Sequence, residues 1–174
     1  VNRVTHNLLG AASGFGLGLA AGWPWWQVLA GAGLASVTSD GPTSPDADQY
    51  RSWRRTDALV PDELLGRGGP LQHRGLSHWW GLPAGAAVVV FLLVPAGWAW
   101  IAWALIAGWT SHLIGDFVHG RAGWGRAAGI PLAPWWGHVG VGLKSGGVVE
   151  RALVAPVLVV LLGYQAWLTV GIVR

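Results

Sequence analysis

Cysteine is absent from the 174-residue chain, which excludes disulfides, thiol nucleophiles and thiolate-bound zinc. Any bound metal must therefore sit on His, Asp or Glu. Charge is scarce too: 11% of residues are Asp, Glu, Lys or Arg, against about 25% in soluble domains. That deficit, with 52% apolar residues and a mean hydropathy of +0.43, argues against an ordinary soluble protein. It also excludes a disordered chain, which would be polar and poor in aromatics. The isoelectric point of 10.2 invites a nucleic-acid reading. The net charge is only +3, however, and no basic block extends beyond Arg54-Arg55, so no nucleic-acid partner is expected. Methionine is missing as well, and a chain opening on Val1 is expected to derive from processing, trimming or a misread start codon.

Glycine and tryptophan are abundant, 28 and 14 residues, while Tyr and Phe number only 2 and 3. Glycine permits close helix packing in a bilayer, and the Trp ring suits the membrane–water boundary. Five apolar stretches can be read along the chain: Leu8 to Ala21, Trp25 to Val37, Trp79 to Val94, Trp98 to Ile114 and Ala152 to Val173. A span needs roughly 20 helical residues, so the first two, parted by Gly22-Trp23-Pro24, are expected to tilt or re-enter. A competing reading makes the first stretch a signal peptide, with Arg3 before it and Ala20-Ala21-Gly22 as the cleavage site. The expected fold is a single all-α domain over residues 1–174, a polytopic membrane bundle of about five segments with polar loops on one face.

An odd number of spans fixes the sides. Arg3, the polar segments 39–72 and 117–150, and all basic residues but Arg174 then fall on one side. The positive-inside rule places that side in the cytoplasm. Trp23, Trp25, Trp26, Trp79, Trp80, Trp98 and Trp100 sit near predicted span ends, as interfacial anchors would.

All six histidines fall on the charged side. His112 and Asp116 are four apart near the end of a predicted helix, so they share a face. An ionisable pair at that depth calls for a metal or a counter-charge. His73 and His78 bracket Arg-Gly-Leu-Ser just before the third stretch, and Ser77 is placed to cap that helix. Pro45-Asp46-Ala47-Asp48 leaves the second stretch, and in extended chain its two carboxylates point oppositely, one as ligand and one as support. His6 opens the first stretch. Each group taken alone also reads as a polar loop or helix end. Together they gather at the ends of different helices on one face, and imidazole with carboxylate suits zinc, manganese or iron.

These residues carry a resemblance. His6, Pro45 to Asp48, His73 to His78, His112 to Asp116 and Gly146-Gly147-Val148-Val149-Glu150 resemble the pattern of bacterial LexA-regulated, membrane-bound metal-dependent hydrolases of the YdjM type. Trp79 stands where a Ser usually follows the second His, and His119 where a small polar residue is typical. The resemblance implies a metal-dependent hydrolase whose ligands are His6, Asp48, His73, His78, His112 and Asp116. The order of ligands is also similar to that of zinc-dependent phospholipase C. That likeness implies that Asp116 bridges two metals, with His6 on one and Asp48, His73 or His78, and His112 on the other.

The expected cofactor is one to three divalent ions, zinc or manganese. Arg74 is the candidate for gripping a phosphate oxygen through its planar fork, and Asp46 or His78 for moving the proton. The backbone N–H groups of Lys144-Ser-Gly-Gly could cradle an anion or form a plain loop. A membrane site meets lipids, so the expected partners are membrane lipids and a lipid-like phosphoester. Two other classes compete: a membrane protein that binds or moves a metal without hydrolysis, and an intramembrane metalloprotease. The second lacks any His-Glu-x-x-His.

Overall fold

A computed structural model of the chain describes residues 3–41, 44–45, 76–123, 129–133 and 137–173. It is all-α but for one small sheet. The helices are α1 (Arg3–Ala20), α2 (Trp25–Ser39), α3 (Gly81–Leu93), α4 (Ala96–His119) and α5 (Ala155–Val173). A 3₁₀ turn, Leu76–His78, precedes α3, and a π turn, Glu150–Val154, leads into α5. All five expected helices are present. α4 runs five residues past Ile114, so the His112 and Asp116 pair stands within the helix.

The turn between α1 and α2 shows why the chain reverses there. Gly22 adopts φ +66°, which only a residue without Cβ takes readily. The Gly22 N–H then donates to Leu19 and the Trp23 N–H to Gly18, satisfying the last carbonyls of α1. Pro24 follows at φ −53° and opens α2.

Small residues then let three helices touch backbone to backbone. His6, Gly10, Gly14 and Gly18 recur every fourth residue along one face of α1. Gly31, Ala35 and Ser39 do so on α2, and Ala104, Gly108, His112 and Asp116 on α4. A Cβ on Gly14 would stand 2.6 Å from the Gly31 carbonyl oxygen, and one on Gly108 2.2 Å from that of Ala35. Dispersion at such close range is the main attraction between helices in a bilayer, where water gives no hydrophobic drive. The packed stripes of α1 and α4 end in His6, His112 and Asp116, and that of α2 in Ser39, so the packing that joins the helices also gathers the polar residues.

The opposite end of the bundle is aromatic. Trp100 meets Trp23 and Trp26 edge to face, with centroids 6.2 and 5.5 Å apart. Outward faces are apolar: Phe91, Leu92 and Leu93 on α3 and Val160 and Trp167 on α5 are each more than two-thirds exposed. Two helical stretches, Ala96–His119 and Glu150–Gly171, are long and apolar enough to cross a membrane. α1, α2 and α3 have 18, 15 and 13 residues. At 1.5 Å per residue, α3 covers about 20 Å of a core of about 30 Å.

The segment after α4 folds into three short antiparallel strands, β1 (Arg121–Gly123), β2 (Ile130–Pro131) and β3 (His138–Val141), in the order β1-β3-β2. The Leu143 N–H donates to the Val118 carbonyl and ties this sheet to the end of α4.

Candidate metal centre

Four ionisable side chains converge where α1, α2 and α4 end together, beside the 3₁₀ turn. His6 comes from α1, His78 from the turn, and His112 and Asp116 from α4. All four are buried. The Asp116 carboxylate stands at the middle. Its Oδ1 is 3.6 Å from His6 Nε2, and its Oδ2 is 3.4 Å from both His78 Nε2 and His112 Nε2. His78 Nε2 and His112 Nε2 are 3.3 Å apart. The His6 and His112 rings stack at 4.1 Å and 15°.

Neighbouring groups fix the ring orientations. His112 Nδ1 lies 2.6 Å from the Ser39 carbonyl, which can only accept, so Nδ1 carries the proton. In the neutral ring, Nε2 is then a bare lone pair aimed at Asp116 and His78. Ser39 also donates through its hydroxyl to the His6 carbonyl at 2.8 Å, tying α2 to α1 at the same level. Ser77 Oγ is 3.1 Å from His78 Nδ1, which leaves His78 Nε2 to face inward. Trp109 donates to the Ser77 carbonyl at 2.9 Å and pins the turn against α4. Such outer contacts hold a ligating imidazole in one tautomer.

Two imidazole nitrogens and a carboxylate oxygen that face one another this way can share a proton or hold a cation between them. A charge-assisted hydrogen bond would stand at about 2.7–2.9 Å. The observed 3.3, 3.4 and 3.4 Å are longer. They match the edge of a coordination tetrahedron, about 3.3 Å when each ligand lies about 2.0–2.1 Å from zinc. The spacing of His78, His112 and Asp116 thus fits one face of such a polyhedron. His6, His112 and Asp116 form a second group, each offering a ligand atom within 4.8 Å of the others. The nitrogen and oxygen donors suit zinc or manganese.

The chain matches the family model of the YdjM inner membrane protein over residues 1–173. It belongs to that family. No curated protein and no solved structure matches it. The YdjM family is described as an inner membrane protein, in keeping with the two helical stretches long enough to span.

Among the predicted site residues of this YdjM-family chain, the structure gathers His6, His78, His112 and Asp116. Asp46, Asp48, His73 and Arg74 lie outside the described residues. Ser77 does not cap α3 as expected. The helix begins at Gly81 with Trp80 before it and no side-chain cap, because the 3₁₀ turn intervenes and commits Ser77 to His78.

A second buried pair lies beyond the reach of sequence spacing. His119, one turn past Asp116, has its Nε2 3.8 Å from Glu150 Oε2, and Glu150 is fully buried. The Gly146 N–H, in a residue at φ +68°, donates to the same Glu150 oxygen. One N–H of the Lys144-Ser-Gly-Gly loop thus meets the chain's own carboxylate. The π turn beginning at Glu150 aims that side chain inward and joins α5 to the end of α4. Glu150→Ala takes this partner from the Gly146 N–H and from His119 Nε2, while His119 Nδ1 keeps the Gly115 carbonyl, and should lower stability by about 1–3 kcal/mol. Thermal melting in detergent checks this.

Proposed function

We propose that this chain is a metal-dependent hydrolase of phosphoester bonds in lipid or lipid-linked substrates at the cytoplasmic face of the bacterial inner membrane. The observation that carries this reading is the meeting of three imidazoles and one carboxylate, buried and with contacts of 3.3 to 3.6 Å, at one end of an apolar bundle. A bound divalent ion supplies Lewis acidity toward a phosphoryl oxygen and lowers the pKa of water from 15.7 to about 7.

The residues divide the remaining work. Asp116 offers one oxygen toward His6 and the other toward His78 and His112, the arrangement of a bridging carboxylate between two ions. Asp48 and His73 are proposed to complete the ligand set. Arg74, four residues before His78, grips a phosphate oxygen bidentately. His78 acts as a ligand in this scheme, because its Nε2 points at Asp116, and the proton work falls to Asp46.

The five apolar helices act as the membrane segments, α1 and α2 tilted or partly re-entrant and α3 short. Ten of the eleven basic residues then share the side of the metal centre, which the positive-inside rule makes cytoplasmic.

Purified protein supplied with Zn²⁺ or Mn²⁺ should hydrolyse a phosphodiester or a phospholipid, and chelation should stop it. No metal-dependent turnover on either substrate refutes the hydrolase reading. Metal-ion transport, the competing function, predicts zinc uptake into sealed liposomes instead.

Metal should also stabilise the fold. A ligand at 100 times its Kd adds about 2.7 kcal/mol, so zinc should raise Tm and a chelator lower it. A Tm indifferent to zinc contradicts a bound ion.

A further inference from the structure

A cleft of about 560 Å³ lies between α3 and α4. It belongs to the size range of sites that enclose small ligands, about 300–1,000 Å³. Its walls are apolar: Trp80, Ala84 and Ala87 from the α3 side, and Ile106, Leu113 and Phe117 from α4. Thr110 is the one polar side chain among its described lining residues.

Its direction is informative. α3 leaves the metal centre and α4 returns to it, so Trp80 and Phe117 mark the near end, Ala87 and Ile106 the far end. From Ile106 to Phe117 the α4 wall rises about 16 Å. Leu113 and Phe117 each follow a ligating residue, His112 and Asp116, and Trp80 follows His78 by two. The metal centre and the cleft thus occupy adjoining faces of the same turns of α4. One is built for a charged group and the other for a long apolar one.

We infer that the α3–α4 cleft binds one acyl chain of the lipid substrate and holds its phosphoester head at the level of Asp116. This rests on the hydrolase reading and narrows it to long-chain amphiphiles. A polar head group would find almost no partner along the walls. A chain tail would find apolar contact along the whole α4 wall.

The test uses the full protein, zinc-loaded, in nanodiscs containing a phospholipid with a diazirine at its acyl terminus. Labelled peptides are mapped by mass spectrometry. The cleft residues should label about tenfold more than the equally apolar outward face of α5 at Val157, Val160 and Trp167, a preference worth about 1.4 kcal/mol. Dodecyl phosphate should compete that label away, while dodecane at the same concentration should not. An even map, or equal competition by both, overturns the inference, since the cleft would then hold only bulk lipid. Ala87→Phe, which fills the far end, should cut the cleft label about tenfold on the same scale. Val160→Phe should not, and zinc content reports that each variant folds. If Ala87→Phe does not fold, the unmutated map decides alone. A positive map without any metal-dependent turnover sinks the hydrolase reading and leaves the cleft. Turnover with an even map does the reverse.

Discussion

Replacing Asp116 with Ala should abolish metal binding. Its two oxygens meet the imidazoles of His6, His78 and His112, at 3.4 to 3.6 Å. Groups that merely orient a ligand are worth about 10–100-fold in metal affinity, so loss of the central ligand should exceed about 100-fold. Hydrolysis should fall to background with it. Asp116→Asn, which keeps the shape and loses the anion, should bind metal weakly and remain inactive. His112→Ala should behave like Asp116→Ala, because it removes the ring that Ser39 holds in the ligating tautomer. Elemental analysis against protein concentration reads each variant. Full zinc stoichiometry in Asp116→Ala would place the ion elsewhere.

A second large effect should come from a residue with no polar atom in its side chain. Gly108 lies against Ala35, and a Cβ there would stand 2.2 Å from a backbone carbonyl oxygen, which cannot swing aside. Gly108→Leu must push α4 off α2. Overpacking of this kind costs about 1–3 kcal/mol, and more where backbone must move. The same displacement pulls His112 from the Ser39 carbonyl, so zinc affinity should fall along with Tm. Gly33 supplies the contrast. It lies on the same α2, but a Cβ there would meet nothing within 4 Å. Gly33→Ala should be neutral or stabilising by up to about 1 kcal/mol, since Ala is the better helix former. If Gly108→Leu melts like the parent, the close packing of α2 and α4 is wrong.

What could be read from the residues divides along physical lines. Apolar stretches located all five helices, because an apolar helix shows in sequence as a continuous run of one solvent preference. The ends were less legible. α1 begins at Arg3 rather than Leu8, since the polar residues of its first turns, Thr5 and His6, are buried in the fold rather than left in a loop. The pairing of His112 with Asp116 followed from helical spacing. The inward turn of His78 did not, because a 3₁₀ turn separates it from α3 and no periodicity announces one. The little sheet was also invisible. Its strands have two to four residues, too few for alternation to show, and they lie among glycines. The tie between His119 and Glu150 joins residues 31 positions apart through a π turn, which leaves no mark in local sequence.

The proposed chemistry requires imidazole nitrogen and carboxylate oxygen to surround a divalent ion inside this bundle. X-ray absorption at the metal edge of the purified protein examines that directly. The account predicts a shell of nitrogen and oxygen at about 2.0–2.1 Å for zinc, with the outer scattering of two or more imidazoles, all lost in Asp116→Ala. A purified, folded protein that retains no divalent metal, or one whose metal shows no imidazole around it, would contradict it.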